Sequence, residues 1–574
     1  MRRVVITAAS AAVATAALAL PASAVPAQPE SQAKASEYVV LYKEGVSLSK
    51  ARAAVKAAGG TIVSENTDVG VATVRTTKTG FTAAVARQDA LEGAAANRVI
   101  GHAPKTGKAA KPFAVEKEGR GQTAGAAKFT KGAKGEPLAD LQWDMKQIRA
   151  TADGSYKIEP GDKRVLVGVI DTGIDGNHPD IKPNFNRALS RNFTVDIPTD
   201  ANGNEVDGPC EAEPDKSCND PADVDENEHG THVASTIASP RNGLGMAGVA
   251  PNVQLVNLRA GQDSGYFFLK PTVDALTYAA KNGIDVVNMS FYIDPWLFNC
   301  VDNPADSPEE QAEQRTVIEA ANRALNFAHR HGVTLVAAAG NEAIDYTKTN
   351  TDDSSPNFAS EPGEQPHERT IPPSCLSLPG EGDHVIPVSS TGISKRKAYY
   401  SSYGNGYIQV AAPGGDKYDT ADGKLDDKVG IWAAYPESIA RERGELNADG
   451  TPNTPRVVRD CKGGTCAYYQ SIQGTSMASP HAAGVAALIV SKYGKRDRVH
   501  GGLTMDPDAV ARILTGTASA TACPKGGSYT YTRYVKQADG SYQKVVATHT
   551  CEGGKNRNGF YGAGIIDAKK AVSR

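Results

Sequence analysis

The sequence carries almost no excess charge, few aromatic residues and, beyond its N-terminal region, no long apolar run. Each shortage excludes something. Against 62 Lys and Arg stand 65 Asp and Glu, a formal net charge of −3, so the balance favours neither nucleic acid nor an anionic membrane as partner. Aromatics make up 6% of 574 residues while Gly alone numbers 57, which suits an α/β enzyme with tight turns and closely packed helices. No later stretch approaches a membrane span, no internal repeat is present, and no two cysteines show the two-residue spacing of a zinc knuckle.

What is present begins with a short basic region, Arg2-Arg3, an apolar run over 4–20 and a small-residue site, Ala22-Ser23-Ala24. This is the layout of a secretory signal peptide over 1–24, cut after Ala24. It predicts a secreted, extracellular, soluble protein exported by the general secretory route. The eight cysteines agree, because an even count in an oxidising compartment reads as disulfides. Eight allow about 105 pairings. The simplest joins neighbours: Cys210–Cys218, Cys300–Cys375, Cys461–Cys466 and Cys523–Cys551.

Residues 37–103 read as a compact unit. Strands are predicted at 37–42, 61–64, 70–75 and 98–100, with helices at 48–58 and 81–91. The order βαββαβ is that of a small ferredoxin-like α+β unit. Residues 104–137 are largely Gly/Ala/Lys-rich and predict an exposed, protease-sensitive processing linker. The main body is 138–574. Its apolar runs at 164–170, 252–258, 284–289 and 333–339 have the character of strands buried on both faces of a parallel sheet. Helical patterns at 230–238, 272–282 and 312–331 alternate with them. The fold class is therefore α/β, a mostly parallel sheet with helices on both faces. Segments 207–228, 346–382 and 417–466 look inserted, and 529–548 reads as a hairpin turning at Asp539-Gly540 and fastened by Cys523 and Cys551.

Four segments carry groups suited to acyl transfer. Asp171 stands in Val169-Ile170-Asp171-Thr172-Gly173, at the carboxyl end of a buried strand, where open α/β sheets collect reactive groups. An Asp there also commonly caps a turn. His229 opens His229-Gly230-Thr231-His232, where an acidic loop gives way to a helix of small residues. The two histidines have metal-ligand spacing but no clear third ligand, and His232 is expected to pack within the helix. Ser476 lies in Gly474-Thr475-Ser476-Met477-Ala478-Ser479-Pro480-His481, at a helix N-terminus whose N–H groups and dipole favour a developing oxyanion. A serine N-cap is the bland alternative. Ser479 and His481 read as structural, and Pro480 as tolerated in the first turn. Asn341, after the run 333–339, offers a carboxamide donor to the same oxygen; an Asn after Gly is otherwise a turn residue.

In the order Asp, His, Ser, these motifs together resemble the three active-site motifs of the subtilisin-like serine proteases. The resemblance runs from about Leu138 to the end, closing on Gly562-Ala563-Gly564-Ile565-Ile566-Asp567-Ala568. Residues 37–103 resemble the family's inhibitory, chaperone-like propeptide. The resemblance implies a secreted serine endopeptidase, made as a self-processed zymogen and inhibited by its own propeptide. Ser476 would attack the peptide carbonyl, His229 would move the proton, Asp171 would orient the imidazole, and Asn341 with the Ser476 N–H would stabilise the oxyanion. Protein or peptide substrates would lie extended beside Asn288, Met289, Ser290, Phe291 and Tyr292, adding to the sheet edge. Phe291 and Tyr292 depart from the small residues common there. The stretch 400–404 resembles the one near the leaving group. Catalysis would need no cofactor, but Asp180 and Asn242 resemble ligands of a structural calcium, and 207–228 reads as a further ion site or a solvated loop. Neither nucleic acid nor membrane is an expected partner, and the chain is expected to be a monomer. The alternative is a narrow-specificity leader-peptidase or tripeptidyl-peptidase on the same fold, whose mark would be a cleft blocked by 346–382 or 417–466.

Overall fold

The computed structural model of the chain describes residues 35–97, 115–118, 135–199, 206–213, 216–353, 355 and 368–573. The expected signal peptide, the last strand predicted at 98–100 and most of the linker lie outside the described residues.

The centre is a seven-stranded sheet in the order Val410–Pro413, Val385–Thr391, Thr334–Ala338, Val286–Met289, Leu166–Ile170, Gln254–Arg259, Arg191–Asn192. Every pairing in it is parallel. Both faces are covered, which explains strands that are apolar throughout rather than alternating. Helices His229–Ala238 and Thr475–Tyr493 pack one face through Val233, Ile237, Met477, Val485 and Leu488. Helices Leu269–Lys281 and Pro308–Arg330 pack the other through Val273, Leu276, Val317 and Leu325. Every residue from Thr475 to Val490 is buried, so that helix has no polar face to display. Pro308–Arg330 begins four residues before the predicted 312. Ser307 Oγ accepts from the Glu310 N–H while Glu310 accepts from the Ser307 N–H, a capping box that extends the first turn.

The N-terminal unit is a four-stranded antiparallel sheet in the order Thr61–Asn66, Val71–Thr76, Ser36–Tyr42, Leu91–Ala96, with helices Leu48–Ala58 and Phe81–Val85. Its strands alternate. Val40, Tyr42, Ala72 and Val74 face its own two helices, whereas Val39, Leu41, Val71 and Ala95 join the core built on helices Leu269–Lys281 and Pro308–Arg330. Period two thus supplies one apolar face for folding and one for docking. Asn66 Nδ2 adds hydrogen bonds to Asp274 Oδ1 (2.8 Å) and Thr277 Oγ1 (2.7 Å). The helix predicted over 81–91 stops at Val85, because Leu91–Ala96 is taken by pairing with Ser36–Tyr42.

The insertion 417–466 contributes to a three-stranded antiparallel sheet, Ile431–Tyr435, Thr465–Ile472, Val457–Lys462. The hairpin is Ser528–Lys536 with Tyr542–Thr550. The four disulfides join neighbouring cysteines as in the simplest pairing. Among the described residues no helix is long and apolar enough to cross a membrane.

Candidate active site

Asp171 leaves the end of strand Leu166–Ile170 fully buried. Its Oδ1 accepts the Thr172 N–H at 2.8 Å and the Nδ1–H of His229 at 2.7 Å. The first two motifs are held together by close packing: a Cβ on Gly230 would lie 2.0 Å from the Gly173 carbonyl oxygen, so only glycine lets helix His229–Ala238 approach Asp171-Thr172-Gly173. Asp225 fixes the start of that helix. One of its oxygens accepts from the N–H groups of Asn227 and Glu228 and from Thr172 Oγ1; the other takes Thr231 N–H and Oγ1–H. The acidic loop therefore supplies an N-terminal anchor. Asp225 is legible only as an Asp four residues before His229, within the segment 207–228 read as an ion site or a solvated loop.

Ser476 stands in the first turn of Thr475–Tyr493. Pro480 lies beyond that first turn, which corrects the expectation, and its position has a use. Lacking an N–H, it leaves the Ser476 carbonyl without the usual helical donor, and Ser290 Oγ donates to that carbonyl instead, at 3.0 Å. Ser290 Oγ also meets Ser479 Oγ (2.8 Å) and the Asn288 amide (2.9 Å). Its side chain thus ties the sheet to the Ser476 turn, and only its carbonyl faces the hydroxyl, 3.2 Å from Ser476 Oγ. Asn341 is oriented from behind: its Oδ1 accepts both the N–H and the Oγ1–H of Thr475 at 2.9 Å, so Nδ2 must point outward.

A carboxylate from the presumed linker occupies the point on which these groups converge. Glu116 is 3% exposed. Its Oε1 accepts from Asn341 Nδ2 at 2.7 Å and from Ser476 Oγ at 3.1 Å. A Cβ on Gly474 would lie 2.7 Å from that same oxygen, so the glycine before the motif keeps the space open. Burial pushes the Glu116 carboxyl up, against the opposing pull of His229. Burial also draws the His229 imidazole down, but Asp171 and then Glu116 outweigh it and leave it raised. Segment 115–118 is thus no exposed linker. It is a turn, closed by Glu118 N–H to the Val115 carbonyl (3.2 Å), seated among the motif residues.

The remaining predicted residues fall as follows. His232 Nε2 bonds the Ile431 carbonyl (3.0 Å), and burial lowers its pKa to about 3. His481 lies between the Met477 carbonyl and Asp144. His232 thus bonds out of its helix to strand Ile431–Tyr435 rather than within it, and His481 bonds back to its own helix and to Asp144. Strand Val286–Met289 is internal to the sheet, between Leu166–Ile170 and Thr334–Ala338. An extended peptide therefore has no edge at Asn288 or Met289 and can align only with 290–292, past the strand. Phe291 stacks on Phe267, centroids 4.1 Å apart, and Tyr292 packs against Leu297, Phe298 and Tyr346. Both aromatics are half-buried walls.

The calcium expectation meets a different arrangement. Asp180 accepts from Asn242 Nδ2 (3.0 Å), the Met246 N–H (3.1 Å) and Tyr469 Oη (3.1 Å). Lys462 Nζ donates to the Asn242 carbonyl. The N–H donors of the loop and the O–H of Tyr469 from strand Thr465–Ile472 thus point at the carboxylate, a set that does not fit a cation. In the acidic loop, Asp220 joins Asp196 and Asp263 around the buried Arg259 guanidinium. That cation is supplied by the protein itself.

With this geometry in place, comparison with known proteins is decisive for the family. The model of the subtilase family of peptidases matches residues 162–564, well over half of the chain.

The chain belongs to the subtilase family.

It is accordingly a serine-type peptidase. It is 28% identical over 367 residues to subtilisin DY of Bacillus licheniformis, covering 64% of this chain and 86% of that one. It is 27% identical over 365 residues to the epidermin leader peptide-processing serine protease EpiP of Staphylococcus epidermidis, covering 63% and 67%. Among solved structures, EpiP from Staphylococcus aureus superposes with a TM-score of 0.57 at 22% identity, covering 94% of this subtilase and 98% of that chain, a likeness of fold.

Proposed function

We propose that this subtilase is a secreted endopeptidase, made as a self-processed zymogen, in which Ser476, His229 and Asp171 form the triad and Asn341 the side-chain donor of the oxyanion hole. One observation carries the reading: Glu116 Oε1 lies within hydrogen-bond reach of both Asn341 Nδ2 and Ser476 Oγ. That is where the oxygen of an attacked carbonyl must sit to gain negative charge beside preset donors. Ser476 Oγ forms the new C–O bond as His229 takes its proton. The C–N bond then breaks and His229 returns the proton to the departing amine. Water repeats the sequence against the acyl-enzyme. Asp171, receiving the Nδ1–H of His229, keeps the opposite ring nitrogen as the base and stabilises the imidazolium.

The position of 115–118 supports the zymogen. A side-chain carboxyl at the oxyanion position occupies both donors without offering a peptide bond to break. The docked unit, residues 35–97, tethers it there. The signal-like N-terminus and the four disulfides support export.

A second reading, narrow leader-peptide or tripeptide removal, draws on the relative named for leader-peptide processing and on Tyr418 of the insertion 417–466, which meets Glu118 in the cleft. Mass-spectrometric mapping of products from an unfolded protein, with N-terminal sequencing of the mature enzyme, separates the two. Internal cuts and a mature terminus between 103 and 141 are expected. Release of N-terminal tripeptides alone, or of a single leader fragment, would replace the endopeptidase reading with the narrow one.

A further inference from the structure

Glu118 is held as specifically as Glu116, by residues that belong to none of the three motifs. Tyr399 Oη and Tyr418 Oη (2.9 Å) donate to its two oxygens, and Gln473 Nε2 lies 3.2 Å from one of them. Arg533 Nη1 stands 3.7 Å away. These donors are set in place by other contacts. Gln473 Oε1 accepts the Lys417 N–H at 2.7 Å, which aims its amide nitrogen at the carboxylate. The Arg533 guanidinium lies over the Tyr399 ring, 3.7 Å from its centroid, and 5.2 Å from that of Tyr418. Arg533 shares a strand face with Tyr531, whose buried hydroxyl anchors the hairpin on the Lys397 carbonyl at 2.7 Å. Among the described residues, Glu118 is the only carboxylate within ion-pair distance of Arg533.

Three oriented neutral donors and one cation, none of them satisfied by a permanent acidic partner from the enzyme body, make a receptor for a carboxylate. It opens beside Gln473, three residues from Ser476, so whatever occupies it lies within about two residues of the attacked bond. Segment 115–118 reaches it as a turn, and an extended substrate will do so with its own register.

We infer that Tyr399, Tyr418, Gln473 and Arg533 form a carboxylate-binding subsite of the cleft, filled here by Glu118, which selects an acidic side chain in the peptides this subtilase cleaves. The inference rests on the peptidase reading of the same cleft and adds a substrate class to it.

The test is a set of quenched fluorescent peptides of one parent sequence, with Glu, Gln or Lys placed in turn at each of three positions on either side of the cleaved bond. At one position the mature enzyme is expected to prefer Glu over Gln by about tenfold in kcat/KM, the scale of a single hydrogen bond to a charged group. Arg533→Gln should bring that ratio close to one, Arg533→Glu should turn the preference toward Lys, and Tyr418→Phe should lower the ratio a few-fold. A ratio cancels any general loss of activity or of folded enzyme, so a weakened variant still reports. Equal rates for Glu and Gln at every position, or a Glu preference that survives Arg533→Glu, would overturn the subsite while leaving the peptidase reading intact. A wild-type enzyme that cuts none of the peptides would overturn both.

Discussion

Residues 35–97 and residues 115–118 both lie against the enzyme body, but they are held by opposite physics. The larger unit docks mainly through an apolar sheet face on two helices, helped by the Asn66 amide, which donates to the Asp274 carboxylate and the Thr277 hydroxyl, and by an exposed Lys281–Asp68 ion pair. The short turn docks through two carboxylates on polar donors and beside the His229 imidazole. Apolar burial is strong, non-directional and insensitive to pH. Buried carboxylates are individually costly to bury and respond to protons. A tether of the first kind can hold in place a plug of the second kind that would not stay there unaided.

The largest effect that sharpens this contrast is on Ser476. Ser476→Ala should keep both attachments on one uncut chain and lower peptide hydrolysis by about 10⁶-fold, the scale carried by a triad serine; gel electrophoresis and peptide turnover read both. Residual hydrolysis near the wild-type rate would remove Ser476 from the reaction. Asn341→Ala should lower kcat by about 10²–10³-fold with a smaller change in KM, and should also weaken inhibition by a peptide of residues 111–122, since the same Nδ2 serves Glu116. Inhibition left unchanged would mean that the plug does not use the oxyanion position.

Next comes pH. Docking lifts Glu116 above its free value through burial, whereas His229 is raised chiefly by Asp171, a partner it keeps with or without the turn. Glu116 holds its proton more firmly in the docked state, so docking takes a proton up. The advantage is present below the free pKa of Glu116 and is lost as pH rises through the docked one. Calorimetric binding of the same peptide to the mature Ser476→Ala enzyme should therefore weaken with rising pH, by at most about tenfold per pH unit for each proton. The Glu116→Gln peptide should show a flatter profile. Affinity that grows with pH would break the contrast. Asn66→Ala, made in full-length Ser476→Ala protein, should destabilise docking of the larger unit by about 1–2 kcal/mol in urea titration. The smallest effect concerns the loop at Asn242, where donors rather than a cation meet Asp180. EDTA should leave the melting temperature unmoved, whereas Tyr469→Phe should cost about 1 kcal/mol; a clear drop with EDTA would restore the calcium.

The sheet was readable because its strands are apolar without alternation, and each motif residue because chemistry restricts its neighbours: Gly230 for close approach, Gly474 for open space. Even the strand alternation of 36–42 and 71–76 carried both faces of the N-terminal unit. Glu116 and Glu118 were not readable. In the chain they are two acidic residues in a Lys- and Gly-rich stretch, and composition there says only that the segment folds poorly alone. The surroundings of Asp180 were not readable for the converse reason, since its donors Asn242, Met246 and Tyr469 lie from 62 to 289 residues away.

By itself, the sequence determined the layered α/β architecture and the order of the three motifs, which follow from local periodicity, spacing and residue chemistry, whereas the cysteine pairing was fixed only once the structure brought each pair together. Only the tertiary structure decided what fills the cleft, which strands have an edge, and that Tyr399, Gln473 and Arg533 face one carboxylate. Such meetings depend on side chains from distant segments arriving at one point, and no local pattern in the chain encodes that distance.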